Sequence, residues 1–116
     1  MFELQLTRPP SANHLWVRAR KGMRKSDAYV TWLMLAAIEA RRQSFKRVSG
    51  PYKLFLQASR PDRRRRDIDN LIKPVSDLLM FIGAVEDDSD CEMVTARWVT
   101  TGEGVNVRVE PAGVEA

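Results

Sequence analysis

Cysteine, histidine and long apolar runs are scarce or missing in this sequence of 116 residues. The one cysteine, Cys91, excludes an internal disulfide and any multi-cysteine zinc site. A reducing cytoplasm is the expected compartment for such a chain. No apolar stretch approaches the roughly 20 residues of a membrane span, and the opening MFELQLTRPP lacks a signal-peptide layout. No membrane partner is therefore expected. Internal repeats and low-complexity segments are also missing, which removes repeat architectures from consideration.

The length fits one domain over residues 1–116, and a hydrophobic fraction of 44% is ordinary for a globular core. Nineteen Lys and Arg against fifteen Asp and Glu give a net charge of +4, with a pI near 9.6. A total of that size is weak support for a nucleic-acid partner; clustering carries more weight. The clustering is densest between Arg60 and Asp90, RPDRRRRDIDNLIKPVSDLLMFIGAVEDDSD. There a run of four arginines, Arg63, Arg64, Arg65 and Arg66, meets Asp67 and Asp69, then Lys73, and one helix later Glu86, Asp87, Asp88 and Asp90. Phosphodiester hydrolysis needs carboxylate oxygens for hard divalent cations and positive side chains for the phosphate backbone. This stretch supplies both, so it is a candidate nuclease site.

Period-two alternation predicts a strand over Phe2 to Thr7, ended by Pro9-Pro10. From there to Lys25 no period is sustained, and a long ordered loop is expected. Five of its last eight residues, Arg18, Arg20, Lys21, Arg24 and Lys25, are basic and follow Trp16. They form either a nucleic-acid contact surface or a solvated loop pinned by one aromatic. Ser26 is a good N-cap for a helix over Asp27 to about Lys46, with Tyr29, Leu33, Ala36 or Ala37 and Ala40 facing the core. Tyr52, Leu54, Leu56 and Ala58 mark a second strand.

A second helix is expected from Asp67–Asp69 to about Ile82, burying Leu71, Ile72, Val75, Leu78, Leu79 and Ile82 and stopped by Gly83. Asp69, Lys73 and Asp77 form an i, i+4 row that should lie on its open face. Pro74 predicts a kink or an irregular first turn. Two further strands, Met93 to Thr100 and Val105 to Glu110, look like a hairpin joined through Thr101-Gly102-Glu103-Gly104. The order β-α-β-α-β-β indicates an α+β domain, a mixed sheet of about four strands with helices packed on it.

Each charged motif has a plain structural alternative. An isolated D-x-D is more often an N-cap beside a solvated neighbour, Lys73 could simply pair with Asp69, and an acidic turn can be an exposed loop. Together they place opposed charges so densely around one helix start that a functional reading is favoured. Three segments, PPSANHLW, RRRRDIDNLIKPVSDLL and GAVEDDSD, resemble in the same order the RusA family of Holliday-junction resolvases. The resemblance spans nearly the whole chain. It implies that Asp67, Asp69 and Asp88 are catalytic, metal-binding carboxylates, that Lys73 is the catalytic lysine, and that Asp87 is an accessory. It also implies a homodimer, Mg²⁺ as cofactor with Mn²⁺ as a candidate substitute, and a place in DNA recombination and repair, and it makes a phage or prophage origin reasonable. Asp90 departs from the family, which tends to carry glutamine there.

The expected activity is structure-selective cleavage of four-way DNA junctions, with Asn13, the basic loop and Arg63 to Arg66 on phosphates. Asn13 and His14, in the N-terminal motif, stand either near the site or as surface hydrogen-bonding groups. Two other classes remain open here. A non-catalytic module for branched DNA would use its aspartates as caps, and a regulatory protein would offer its arginines to an acidic partner.

Overall fold

The structure, a computed structural model, describes residues 1–11, 14–60, 67–100 and 102–113. Strand β1, Phe2–Leu6, follows its alternation: Phe2, Leu4 and Leu6 are buried and Glu3 and Gln5 exposed. The segment expected as a loop instead contains a two-stranded antiparallel sheet, β2 (Trp16–Ala19) and β3 (Gly22–Lys25). Its strands have four residues each and little buried surface, too short for a period to register. Gly22 takes φ 81° at the turn, a left-handed conformation open to glycine without penalty.

Helix α1, Asp27–Gln43, starts at Ser26, whose Oγ accepts from the Tyr29 amide at 3.1 Å. It ends earlier than its composition suggests because Ser44 leaves helical geometry at φ 68° while its amide still reaches the Ala40 carbonyl. The core face includes Trp32 besides the expected residues, and the indole Nε1 donates to the Thr7 carbonyl at 2.8 Å. Two more side chains of α1 serve β1. Gln43 bonds both the amide and the carbonyl of Gln5 at 2.7 Å, and Glu39 accepts from the Thr7 amide at 2.9 Å. The C-terminal end of the β1 edge is thereby occupied.

Strand β4, Tyr52–Ser59, lies inside a four-stranded sheet with β5 (Cys91–Val99) and β6 (Val105–Pro111), in the order β1-β6-β4-β5. The expected β5–β6 hairpin is not formed. β5 pairs parallel with β4, and β6 runs antiparallel between β4 and β1. The row Val105, Val107, Val109 explains this: all three are fully buried, flanked by Leu6, Leu4 and Phe2 on one side and Ala58, Leu56 and Leu54 on the other. A hairpin with β5 would have left that row at a sheet edge. The glycine turn is real, with Gly102 and Gly104 at φ 83° and 72°, but it carries the chain across the end of β4, where the Ser59 amide donates to the Gly104 carbonyl.

After a 3₁₀ turn, Ile68–Leu71, helix α2 runs Ile72–Phe81. Pro74 is its third residue, so its missing N–H falls among amides that have no partner within a helix, and the irregular first turn is the 3₁₀ segment. Leu71, Val75, Leu78 and Leu79 are buried with the α1 face and the inner rows of the sheet in one core. On the outer sheet face, Arg108 lies over the Phe55 ring at 4.3 Å.

Gly104 sits where an added Cβ would fall inside the van der Waals radius of the Leu6 carbonyl, whereas Gly102 faces open space. Both need positive φ. In urea denaturation, Gly102→Ala is expected to cost about 1 kcal/mol and Gly104→Ala about 3 kcal/mol or more. Equal losses would show that the close approach is not tight.

Candidate active site

The connection from β4 to β5 holds the expected acids and the lysine. Asp67 stands at the N-cap position of the first 3₁₀ turn without a side-chain capping bond, and is exposed. Asp69 lies in that turn, also exposed, and Lys73 follows within the first turn of α2. A second 3₁₀ turn, Asp88–Asp90, precedes β5. Folding of α2 onto the sheet brings the two ends of this connection together. Asp69, Ile72, Lys73, Ser76, Asp88, Cys91 and Val94 line one cleft of about 470 Å³.

Within the cleft the Lys73 Nζ stands 2.9 Å from Asp77 Oδ1 and 4.0 Å from Asp88 Oδ2. The ammonium therefore pairs with the acid one turn later, not with Asp69 one turn earlier. Asp77 corrects a second expectation. Its side chain is only 12% exposed, because α1 covers this side of α2, and its other oxygen accepts from the Tyr29 hydroxyl. The Asp69–Lys73–Asp77 row thus runs from open cleft into the seam between the helices. The hydrogen bond from Lys73 to Asp77 raises the lysine pKa, partial burial opposes this, and the charges of Asp77 and Asp88 reinforce it. Burial, then the Asp77 contact, pushes the Tyr29 hydroxyl far above its usual range.

Asp87 and Asp88 differ in surroundings although they are neighbours. Asp87 accepts from the Ser89 hydroxyl and from its amide at 3.1 Å, which holds its carboxyl below the usual range and fixes the turn. Asp88 is left facing Lys73 and the cleft. Beneath this turn lies Tyr52, which the sequence assigns to the second strand: it is fully buried, and among the described residues its hydroxyl has no oxygen or nitrogen partner and adjoins the Cys91 thiol. Burial first, then the charges of Cys91, Asp88, Asp90 and Asp87, push its pKa up to about 12.

The basic residues Arg18, Arg20, Lys21 and Arg24 are exposed on the β2–β3 hairpin. Lys25 lies 5.2 Å over the Trp16 ring, and Arg24 pairs with Asp27 at 3.4 Å. His14 is exposed and shares a hydrogen bond with Ser11 at 2.6 Å, outside the cleft lining. Asn13 and Arg63, Arg64, Arg65 and Arg66 lie outside the described residues. A larger open cleft, about 650 Å³, is lined by Thr7, Arg8, Glu39, Ser59, Arg60 and Glu103 among others and contains none of the expected acids.

Among the described residues no three Asp, Glu, His or Cys side chains are grouped closely enough to hold a metal unaided, and Asp67 does not line the cleft with Asp69 and Asp88. Two hard carboxylates still fit one cation type well. Mg²⁺ keeps several waters and is commonly held by one or two carboxylates together with substrate phosphates.

Residues 7–110 match a family model described as endodeoxyribonuclease RusA. The chain belongs to the RusA family. A curated relative, the crossover junction endodeoxyribonuclease RusA of Aquifex aeolicus (strain VF5), is 29% identical over 115 residues, covering 95% of this chain and 91% of that protein. RusA membership assigns the chain to the endodeoxyribonucleases, and the α+β architecture with its mixed four-stranded sheet accords with the family.

Tyr52 supplies a test of the packing under the acidic turn. Its folded pKa lies above the ordinary value of 10.0, so the unfolded chain releases this proton first. The associated stability is complete below about pH 10 and is lost as pH rises toward 12. Tyr52→Phe is expected to change stability at neutral pH by no more than about 1 kcal/mol, since among the described residues the deleted hydroxyl adjoins the weakly hydrogen-bonding Cys91 thiol and no oxygen or nitrogen partner. It should also flatten the alkaline loss in denaturation curves recorded from pH 9 upward. A larger destabilisation at neutral pH would mean that the hydroxyl has a stronger partner in solution.

Proposed function

We propose that this RusA-family chain is a divalent-metal-dependent, structure-selective endodeoxyribonuclease that resolves four-way DNA junctions by paired nicks in two strands. The observation that carries the reading is the single cleft in which Asp69, Asp88 and Lys73 meet. The family match and the name of the Aquifex aeolicus relative support the substrate class.

Asp69 and Asp88, joined by Asp67, are the residues that would hold Mg²⁺ or Mn²⁺, with Asp87 ordering the turn that presents Asp88. The bound ion would supply activation of water and stabilisation of the leaving oxygen. Lys73 points its ammonium into the same cleft and is placed to donate to a phosphoryl oxygen as negative charge accumulates there. The Asp77 contact raises its pKa, so enclosure in the cleft does not cost it the cationic form it has as an ordinary lysine.

The exposed cations of the hairpin, with Asn13 and the Arg63 to Arg66 run, would track phosphates and fix the register of the strand. A four-way junction has twofold symmetry, and a C2 homodimer would present two equivalent clefts to it. No helix of the described residues is long and apolar enough to cross a membrane.

The deciding experiment compares a synthetic four-way junction with a linear duplex of the same arms, with Mg²⁺ and with chelator. Paired nicks in opposing strands are expected from the wild type. Asp69→Asn and Asp88→Asn should bind the junction but not cut it, and Lys73→Ala should cut about a hundredfold more slowly or worse. Tight binding without cleavage under any divalent ion would sink the catalytic reading. Replacing Arg18 and Lys21 by Ala should lower the slope of log affinity against log salt by about 2, one per cation. An unchanged slope would remove the hairpin from the DNA surface.

A further inference from the structure

We propose that Asp77 and Tyr29 are positioning residues that hold the Lys73 ammonium at the mouth of the cleft. The inference deepens the nuclease reading and rests on it for the task given to Lys73.

Lysine is a poor fixed donor when left on a helix surface. Its flexible four-carbon stem allows many rotamers, and more than half of the Lys73 side chain is exposed. The geometry around it is unusual for a surface lysine. The Asp77 carboxylate uses one oxygen for Lys73 Nζ at 2.9 Å and the other for the Tyr29 hydroxyl. Two donors on opposite oxygens fix the plane of the carboxylate, and a fixed carboxylate fixes the ammonium.

Tyr29 is itself immobilised. It is fully buried in the core, its ring lies stacked with Trp32 and edge-on to Trp16, both at 6.2 Å between centroids. The path from the aromatic core of α1 to the cleft is therefore tyrosine, aspartate, lysine, with each step a direct hydrogen bond or ion pair. Asp88 stands 4.0 Å from the same ammonium. A lysine anchored only by Asp88 would collapse onto a carboxylate that the proposed chemistry needs for a cation. Asp77 gives Lys73 a second counter-charge outside the cleft, so the ammonium can stay in place when Asp88 engages another partner.

A merely structural role is the rival: Asp77 and Tyr29 could only tie α1 to α2. The two differ in what happens to Lys73. Nitrogen-15 relaxation of the lysine ammonium groups, recorded without metal or DNA, reads its order directly in wild type, Tyr29→Phe and Asp77→Asn. Lys73 is expected to be more ordered than the hairpin lysines in wild type, intermediate in Tyr29→Phe and as mobile as Lys21 in Asp77→Asn. Single-turnover cleavage of the junction at saturating enzyme should fall about tenfold or more in Asp77→Asn, with junction affinity within about twofold of wild type. The same substitution should change the residual rate little in a Lys73→Met background, because its effect passes through that lysine.

Should Asp77→Asn fail to fold, Tyr29→Phe carries the test, since it removes one hydroxyl and leaves the ring packing in place. Equal order of Lys73 in all variants, or full additivity of the Asp77 and Lys73 effects on rate, would overturn the proposal. A wild type that does not cut the junction would instead overturn the nuclease reading, and with it the purpose of the pair, while the relaxation data would still show whether the ammonium is held.

Discussion

The parallel pairing of β4 with β5 is the constraint from which the candidate site follows. Parallel neighbours cannot be joined by a tight turn; the chain must cross over the sheet before it can run in the same direction again. Among the described residues, the crossover contains the first 3₁₀ turn, α2 and the second 3₁₀ turn. Its buried side is specified by Leu71, Val75, Leu78 and Leu79, which settle on a sheet face whose rows are fully apolar. Once that packing is fixed, Asp69 and Lys73 at the start of the connection and Asp88 at its end have little freedom to be anywhere but beside each other. Residues that are distant in sequence thus share a cleft because two strands run in the same direction.

Opposed charges at such density need management, and the fold divides the work by burial. Asp77 is withdrawn into the seam between helices and satisfied by a hydroxyl and an ammonium. Asp87 is bound to its own turn through Ser89. Asp69 and Asp88 keep access to solvent on the cleft wall. Carboxylates with the same intrinsic chemistry therefore have different tasks, decided by which donors reach them. The basic hairpin is anchored to the same aromatic group, since Trp16 packs edge-on against Tyr29 and carries Lys25 above its ring.

Much of this was legible in the residues, for reasons specific to each element. Strands β1 and β4 and the buried faces of both helices announce themselves because alternation and 3.6-residue spacing are direct images of one-sided burial. Asp69 was marked by its place at a helix start, whereas Asp88 stood out from its acidic turn only through the family resemblance. The partnership of β5 and β6 was not legible: a glycine turn between two valine-rich segments looks like a hairpin locally, and only the need to cover Val105, Val107 and Val109 on both sides places β6 between β1 and β4. The Asp77–Tyr29 contact was hidden for a similar reason. A helical wheel assigns Asp77 to the side away from the sheet, and nothing in it shows that α1 lies there. The β2–β3 hairpin has too few residues and too little burial to leave a pattern. Trp32 was missed because its value lies in one indole hydrogen bond to the end of β1.

The position of β6 also sets a timetable for assembly. It is the sixth strand to be synthesised, yet it fills the gap between the first strand and the central one. Until residues 105–111 have left the ribosome, β1 and β4 each present an open edge flanked by uncovered leucines, and the sheet cannot close from its earlier pieces. Folding of this kind is dominated by contacts remote in sequence, which slows it and prolongs the interval in which strand edges can find the wrong partner. The facing edges of β1 and β4 are thus the places most open to mispairing until a single late strand completes the sheet.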